Sequence, residues 1–235
     1  MSTDEYGQAT ALHYGAWRPP LHSCILATGI AAGEWFQRGL DLGCGTGHST
    51  HALAKYCSEV VGIDPGEEMV SRAMPREKVS FSSQALSSLE GKPAFDVVTF
   101  AGSLHYIDSL QVIDELRPLL NTGATLIAYD FEVRLDNYFH CLGYTPGHSD
   151  YNHQAGFERE DLLKIKCVTR GMSFRASAEQ LAHLLLSLRD FREWAKEAFQ
   201  SETPHASLSL RLSQLCSGKH ELSARTYLTR YAIND

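Results

Sequence analysis

The sequence predicts an α/β fold, a mostly parallel sheet covered by helices on both faces. Three observations predict it. Strand-like and helix-like stretches alternate from residue 38 to residue 131. A glycine-rich turn, Gly43 to Gly47, joins the first strand of that series to its first helix. The second strand ends in an acid, Asp64, at the roughly 20-residue offset where an acid holds sugar hydroxyls in nucleotide-type folds. Alternation with short connections gives parallel strands, because each crossover helix returns the chain to the same end of the sheet.

The elements follow in order. Residues 21–36 read as a helix weakened by Gly29 and Gly33. RGLDLG (38–43) is a short apolar run ending in glycine, a strand. Residues 48–57 have helical spacing. EVVGID (59–64) is a β-branched strand ending in Asp. Residues 66–74 form a short helix stopped by Pro75, and KVSFSS (78–83) alternates as a strand does. FDVVTFAG (95–102) is a buried strand, 108–120 an amphipathic helix and ATLIAYDF (124–131) a further strand. After Phe131 the pattern breaks. Residues 132–157 hold few regular signals but many aromatics and histidines. Helical spacing returns at 159–166 and at 177–200, and 223–233 alternates as a last strand. No linker divides the chain. We expect one domain over 1–235, with an N-terminal cap at about 1–36 and a substrate-side insertion at about 132–157.

Composition excludes some functions. The chain has 235 residues, 43% hydrophobic and 21% charged, with net charge −7. That balance, without a basic run, argues against a nucleic-acid partner, whose binding runs on clustered Lys and Arg. The cysteines at 24, 44, 57, 141, 167 and 216 form no C-x-x-C pair and no zinc spacing. They read as reduced thiols of a cytoplasmic protein. The polar, acidic start does not read as a signal peptide, and no apolar run is long enough for a membrane span.

The chemistry centres on LDLGCGTG, Leu40 to Gly47. In an open parallel sheet, ligands bind beyond the carboxyl ends of the strands. Glycines there let a ligand approach the backbone. The spacing is G-x-G-x-G, with His48 where a dinucleotide fold wants a further glycine, and no Gly-Lys-Ser/Thr follows. Asp41 lies within the motif and would repel a pyrophosphate but not a ligand bearing an ammonium group. Asp64 can accept from two ribose hydroxyls at once. Pro65 follows it, and Met69 is placed to lie against a base.

LDLGCGTG, VVGIDPGEEMV, FDVVTFAGSLHYID and LRPLLNTGATLIAYDF together resemble the class I S-adenosylmethionine (SAM)-dependent methyltransferases. The likeness is greatest to the type 11 group and its trans-aconitate methyltransferase-like subset, over roughly Tyr6 to Phe131. It implies a Rossmann-like seven-stranded sheet with the last strand antiparallel. It also implies SAM as cofactor, lying across the first two strand ends. By that resemblance Asp41, Gly43, Gly45 and Gly47 line the methionine part, and Asp64 holds the ribose. Gln84 and Ala85 face adenine, where many members carry an acid in place of Gln84. Ala101, Gly102 and Ser103 lie beside the sulfonium. LHYID resembles the family's His-aromatic-x-Asp signature, which makes His105 the candidate catalytic base. YGAWRPP resembles its N-terminal Y-x(3)-RP element, so Tyr14 and Arg18 close over the carboxylate of SAM.

The implied function is methyl transfer to an oxygen (carboxylate or hydroxyl) or nitrogen of a small-molecule acceptor, by a monomer or homodimer. The leaving group is already activated, so alignment and exclusion of water carry most of the catalysis. His105 helps only an acceptor that must lose a proton; its plainer reading is a helix-start residue without chemistry. The aromatic stretch 132–157 is expected to line an acceptor pocket. His140, His148 and His153 fit no tight metal spacing, and we expect no metal. Trp194, at helical spacing with Leu188 and Phe191, reads as core. The main alternative is a SAM-binding protein that does not transfer methyl. A nicotinamide-dependent oxidoreductase and an enzyme acting on protein or RNA are further rivals.

Overall fold

The computed structural model describes residues 7–234, so Tyr6 lies outside the described residues. The chain runs α1 (Gln8–Ala16), α2 (His22–Gly29), β1 (Phe36–Leu42), α3 (His48–Leu53), β2 (Cys57–Ile63), α4 (Glu67–Val70) and β3 (Val79–Ser82). It continues β4 (Phe95–Ala101), α5 (Gln111–Leu116), β5 (Leu120–Val133), α6 (Asp136–Leu142) and β6 (Leu162–Ala176). The last elements are α7 (Ala178–Leu186), α8 (Arg189–Phe199), α9 (His205–Leu215) and β7 (His220–Ile233).

The seven strands form one sheet in the order β3-β2-β1-β4-β5-β7-β6. Strands β1 to β5 pair in parallel, and β7 runs antiparallel to both β5 and β6. The strand order reverses between β1 and β4, whose carboxyl ends part around a crevice. Alternate side chains of each strand feed two cores. Leu40, Val98 and Leu126 face α5 through Ile113 and Leu116. Val60, Val97 and Ile127 face α2 and α3 through Ile25, Leu26 and Leu53. A third cluster joins α7, α8 and α9. Ser177 starts α7 with a capping box, its hydroxyl accepting from the Gln180 amide while the Gln180 side chain accepts from the Ser177 amide.

The expected strands at 38–43, 59–64, 78–83, 95–102, 124–131 and 223–233 all form, shifted by a few residues at their ends. Three readings change. The helix expected over 21–36 stops at Gly29, and Phe36 already opens β1. The helix expected at 159–166 is instead the start of β6. That strand lies at the sheet edge and buries only its two end residues, Leu162 and Ala176, so no buried face marks it with a period of two. The helical stretch 177–200 is broken at Ser187–Leu188 into α7 and α8. Within 132–157 the chain also forms α6, and α9 lies in a stretch whose sequence gave no strong signal.

Candidate active site

The glycine loop sits where three strand ends meet. Gly43 and Gly47 have φ of +76° and +88°. A side chain at Gly43 would place its Cβ 2.2 Å from the Cβ of Ser103, and one at Gly47 would come within 2.6 Å of the Phe81 ring. Only glycine fits either place. The amides of Gly43 and Cys44 both donate to the carbonyl of Ile63 at the end of β2, at 2.7 and 3.0 Å. The Ser103 hydroxyl, just past β4, donates to the carbonyl of Leu42. The loop is therefore fixed before any ligand arrives.

The two acids of the motif take different positions. Asp41 is wholly buried. It accepts hydroxyl hydrogen bonds from Ser49 (2.6 Å) and Thr50 (2.7 Å) of α3 and from Thr99 (2.8 Å) of β4. Burial pushes its carboxyl up, against the pull of the three hydroxyls. Its reading as a direct ligand contact gives way to that of a brace beneath the loop. Asp64 is only partly buried. Its Oδ2 accepts the Gly45 amide at 2.9 Å and its Oδ1 the Gly66 amide at 2.8 Å. Burial also pushes the Asp64 carboxyl up, and the two amides oppose that. A carboxylate has about four acceptor sites, so two remain for hydroxyls.

The other expected residues lie on the neighbouring elements. Pro65 is exposed, and Met69 is buried with its methyl 3.2 Å from where a Cβ on Gly45 would stand. Gln84 and Ala85 are exposed on the turn after β3. Ala101 and Gly102 are partly exposed at the end of β4. The Arg18 guanidinium lies 3.9 Å over the Tyr14 ring and 5.6 Å from that of Phe131. Two histidines stand near it. Burial first, then Arg18 and His48, lower His22 to about 3. Burial, Arg18 and His51 lower His48 to about 4. At neutral pH Arg18 is the one charge of these three, suited to meet a carboxylate.

A second group stands beyond Gly102. His105 is exposed, and its Nδ1 accepts the Asn152 amide at 3.3 Å. Its ring packs 4.6 Å from Tyr151 and 5.1 Å from Tyr106. The Tyr151 hydroxyl donates to the carbonyl of Gly102 at 2.8 Å. Asp130, three residues before the end of β5, pairs with His153 Nδ1 at 2.8 Å. Together Gly102, His105, Asp130, Tyr151 and His153 line a narrow cavity of about 10 Å³. His140 and His148 lie outside it, both exposed, His148 paired with Asp150. Among the described residues no three His, Cys, Asp or Glu side chains cluster as a metal site. Trp194 is partly buried against Tyr144 and Phe191 in the helical cluster. Sequence reasoning singled out neither His22, whose Nδ1 lies 3.2 Å from the Tyr129 hydroxyl, nor Asp130. Asp130 is the next-to-last residue of a predicted strand, so the rule that drew attention to Asp64 points near it as well.

Residues 40–123 match the family model of a methyltransferase domain. The matched stretch, which holds the glycine loop, Asp64 and β4, is similar to methyltransferase domains. Among similar proteins is an uncharacterized methyltransferase of Schizosaccharomyces pombe, 32% identical over 155 residues, covering 56% of this chain and 53% of that one. Trans-aconitate 2-methyltransferase of Mycobacterium tuberculosis is 31% identical over 106 residues, covering 42% and 39%. A solved type II methyltransferase from Anaeromyxobacter dehalogenans shares the fold, with a TM-score of 0.62 at 18% identity over 93% of this chain and 97% of that one. The chain spans about half or less of the length of the curated relatives it matches. The methyltransferase cofactor SAM carries its methyl group on a sulfonium. The site fits it: a backbone-lined loop closed to side chains, a carboxylate with free acceptor capacity at Asp64, and a cation at Arg18.

Proposed function

We propose that this methyltransferase domain binds SAM in the crevice at the ends of β1, β2 and β4 and moves its methyl group to an oxygen or nitrogen of a small-molecule acceptor. The observation that carries the reading is the Asp64 carboxylate bonded to the Gly45 amide of the glycine loop, with Arg18 close enough to His48 at the loop's far end to depress it. SAM supplies the activated methyl. Gly43, Gly45 and Gly47 give the methionine part a backbone surface, with Asp41 bracing them from below. Tyr14 and Arg18 take its carboxylate. Asp64 takes the ribose hydroxyls, with Pro65, Met69, Gln84 and Ala85 around the base. Ala101, Gly102 and Ser103 form the wall beside the transfer point. His105, Tyr106 and Tyr151 line the acceptor's approach and exclude water.

The whole chain acts as one domain, with residues 1–36 as its cap and 132–157 as its acceptor-side insertion. Packing of β7 between β5 and β6 supports this, since it ties the last strand into the sheet that carries the site. An acidic net charge supports a small acceptor over nucleic acid. The cysteines, all unpaired, suit the reducing cytoplasm. A monomer or homodimer fits a site built from one chain.

Calorimetry with SAM and with NAD, followed by an S-adenosylhomocysteine assay over a metabolite panel, tests the proposal. SAM binding with product on at least one acceptor is expected. Tight NAD binding without SAM binding overturns it. SAM binding with no product on any acceptor favours a non-transferring binding protein.

A further inference from the structure

Asp130 and His153 come from different parts of the chain. Asp130 lies in β5, three residues before its end, and His153 lies in the irregular segment before β6. Their side chains meet at 2.8 Å, Asp130 Oδ2 to His153 Nδ1, and are 16% and 32% exposed. The other oxygen of Asp130 accepts the Phe131 amide at 2.7 Å. The carboxylate is thereby held on both sides. The imidazole is held too, its face toward Tyr227 and its edge against Tyr151, at ring distances of 6.4 and 4.6 Å. A carboxylate accepting at Nδ1 fixes the proton there and leaves Nε2 bare. Among the described residues Nε2 has no hydrogen-bond partner.

The pair stands beside Gly102, which the reading above puts next to the transfer point. A Cβ on Gly102 would lie 3.0 Å from Asp130 Oδ1 and 3.4 Å from the Tyr151 hydroxyl. Asp130, Tyr151 and His153 line the same cavity as Gly102 and His105. His105 is wired the other way. The Asn152 amide donates into its Nδ1, so a neutral His105 carries its proton on Nε2 and offers a donor.

We propose that Asp130 and His153 form a base dyad in which His153 Nε2 takes a proton from the acceptor, so the acceptor is a hydroxyl, phenol or protonated amine rather than a carboxylate. This rests on the methyl-transfer reading above. The acceptor's proton passes to Nε2 as its freed electron pair bonds to the methyl carbon. The pair of the broken carbon–sulfur bond stays on sulfur, and the imidazolium returns its proton to solvent. Asp130 is the positioning residue, setting the tautomer and stabilising the imidazolium. A carboxylate acceptor is ionised at neutral pH and gives such a base nothing to do.

Two measurements on the full chain test this. The first needs no acceptor: nitrogen-15 NMR of the histidine rings, with His153→Gln assigning the signal. A proton on Nδ1 and a bare Nε2 is expected, with that preference lost in Asp130→Asn. A proton on Nε2 in the parent overturns the proposal. The second is product formation with phenols, alcohols and amines and, beside them, carboxylates including trans-aconitate. Turnover of the proton-bearing acceptors should fall about 100-fold or more in both His153→Ala and His153→Gln, the scale of a lost general base. SAM affinity should hold. Glutamine keeps a donor for Asp130, so a merely structural clamp would be restored by it and the proposal would fail. Turnover confined to carboxylates overturns the dyad while leaving methyl transfer intact. Loss of SAM binding in the parent chain overturns the earlier reading instead.

Discussion

The carboxylate of Asp64 accepts the backbone amide of Gly45 at 2.9 Å, so the acid at the end of β2 and the loop after β1 form one rigid unit. Its other oxygen holds the Gly66 amide at 2.8 Å. One side chain thus positions both the loop and the start of α4, and still has lone pairs to offer a ribose.

Asp64→Ala should weaken SAM binding by about 1–3 kcal/mol, the usual cost of hydrogen bonds to a charged group. It should also lower the melting temperature without ligand, because two backbone amides lose their acceptor. Calorimetry and a thermal melt read the two effects separately. Unchanged SAM affinity would remove Asp64 from the site, even if the melt shifted.

Gly43→Ala should be worse than a typical surface change. The residue has φ +76°, and its new Cβ would stand 2.2 Å from that of Ser103. The backbone conformation alone costs about 1–3 kcal/mol for a residue with a side chain. Ser103→Gly should recover only the clash, leaving the φ cost and losing the hydroxyl that holds Leu42. A denaturant melt of both variants checks the order: double variant between parent and Gly43→Ala.

Buried histidines set the acid side of stability. His22 is lowered to about 3 by burial, Arg18 and His48. His13 is lowered to about 4 by burial, His183, His205 and Arg192, and His48 to about 4 by burial, Arg18 and His51. Unfolded, each would titrate at 6.5. Their contribution is present above pH 6.5 and is lost as pH falls toward 4, because the unfolded chain takes up the protons. Asp41 and Asp64, raised above 3.8 by burial, act in the opposite sense and favour the fold at the acid end. The melting temperature should therefore fall between pH 6.5 and 4, and further toward 3 through His22. His22→Gln should flatten that slope. A melt independent of pH over this range would contradict the burial of these rings.

The sheet was readable because its central strands are buried on both faces and end in glycine or acid, as at Gly43 and Asp64. The edge strand β6 was not, because Leu163 and Ile165 stay exposed on it and mimic helical spacing with Leu162. The glycine loop is contiguous and Asp64 follows it by a set offset at the next strand end, so local spacing announced both. It did not announce the acceptor side. Asp130 and His153 are 23 residues apart in sequence, and only the fold brings them together. Asp41 shows a subtler gap: spacing set it beside the glycines, but its direction depends on Ser49, Thr50 and Thr99.

His105 is the last residue whose role the geometry bears on. Its Nδ1 already accepts the Asn152 amide, so its free nitrogen donates when the ring is neutral. As a donor, it orients an acceptor rather than taking its proton. His105→Ala should leave SAM affinity unchanged and lower kcat/KM about tenfold, the value of one net hydrogen bond of about 1.4 kcal/mol. His105→Gln, which keeps an N–H in the same region, should recover part of that loss. A base cannot be replaced so, because an amide does not take up a proton at neutral pH. Glutamine performing no better than alanine, with SAM affinity intact, would return His105 to the role of base and leave Asp130 and His153 to hold the segment in place.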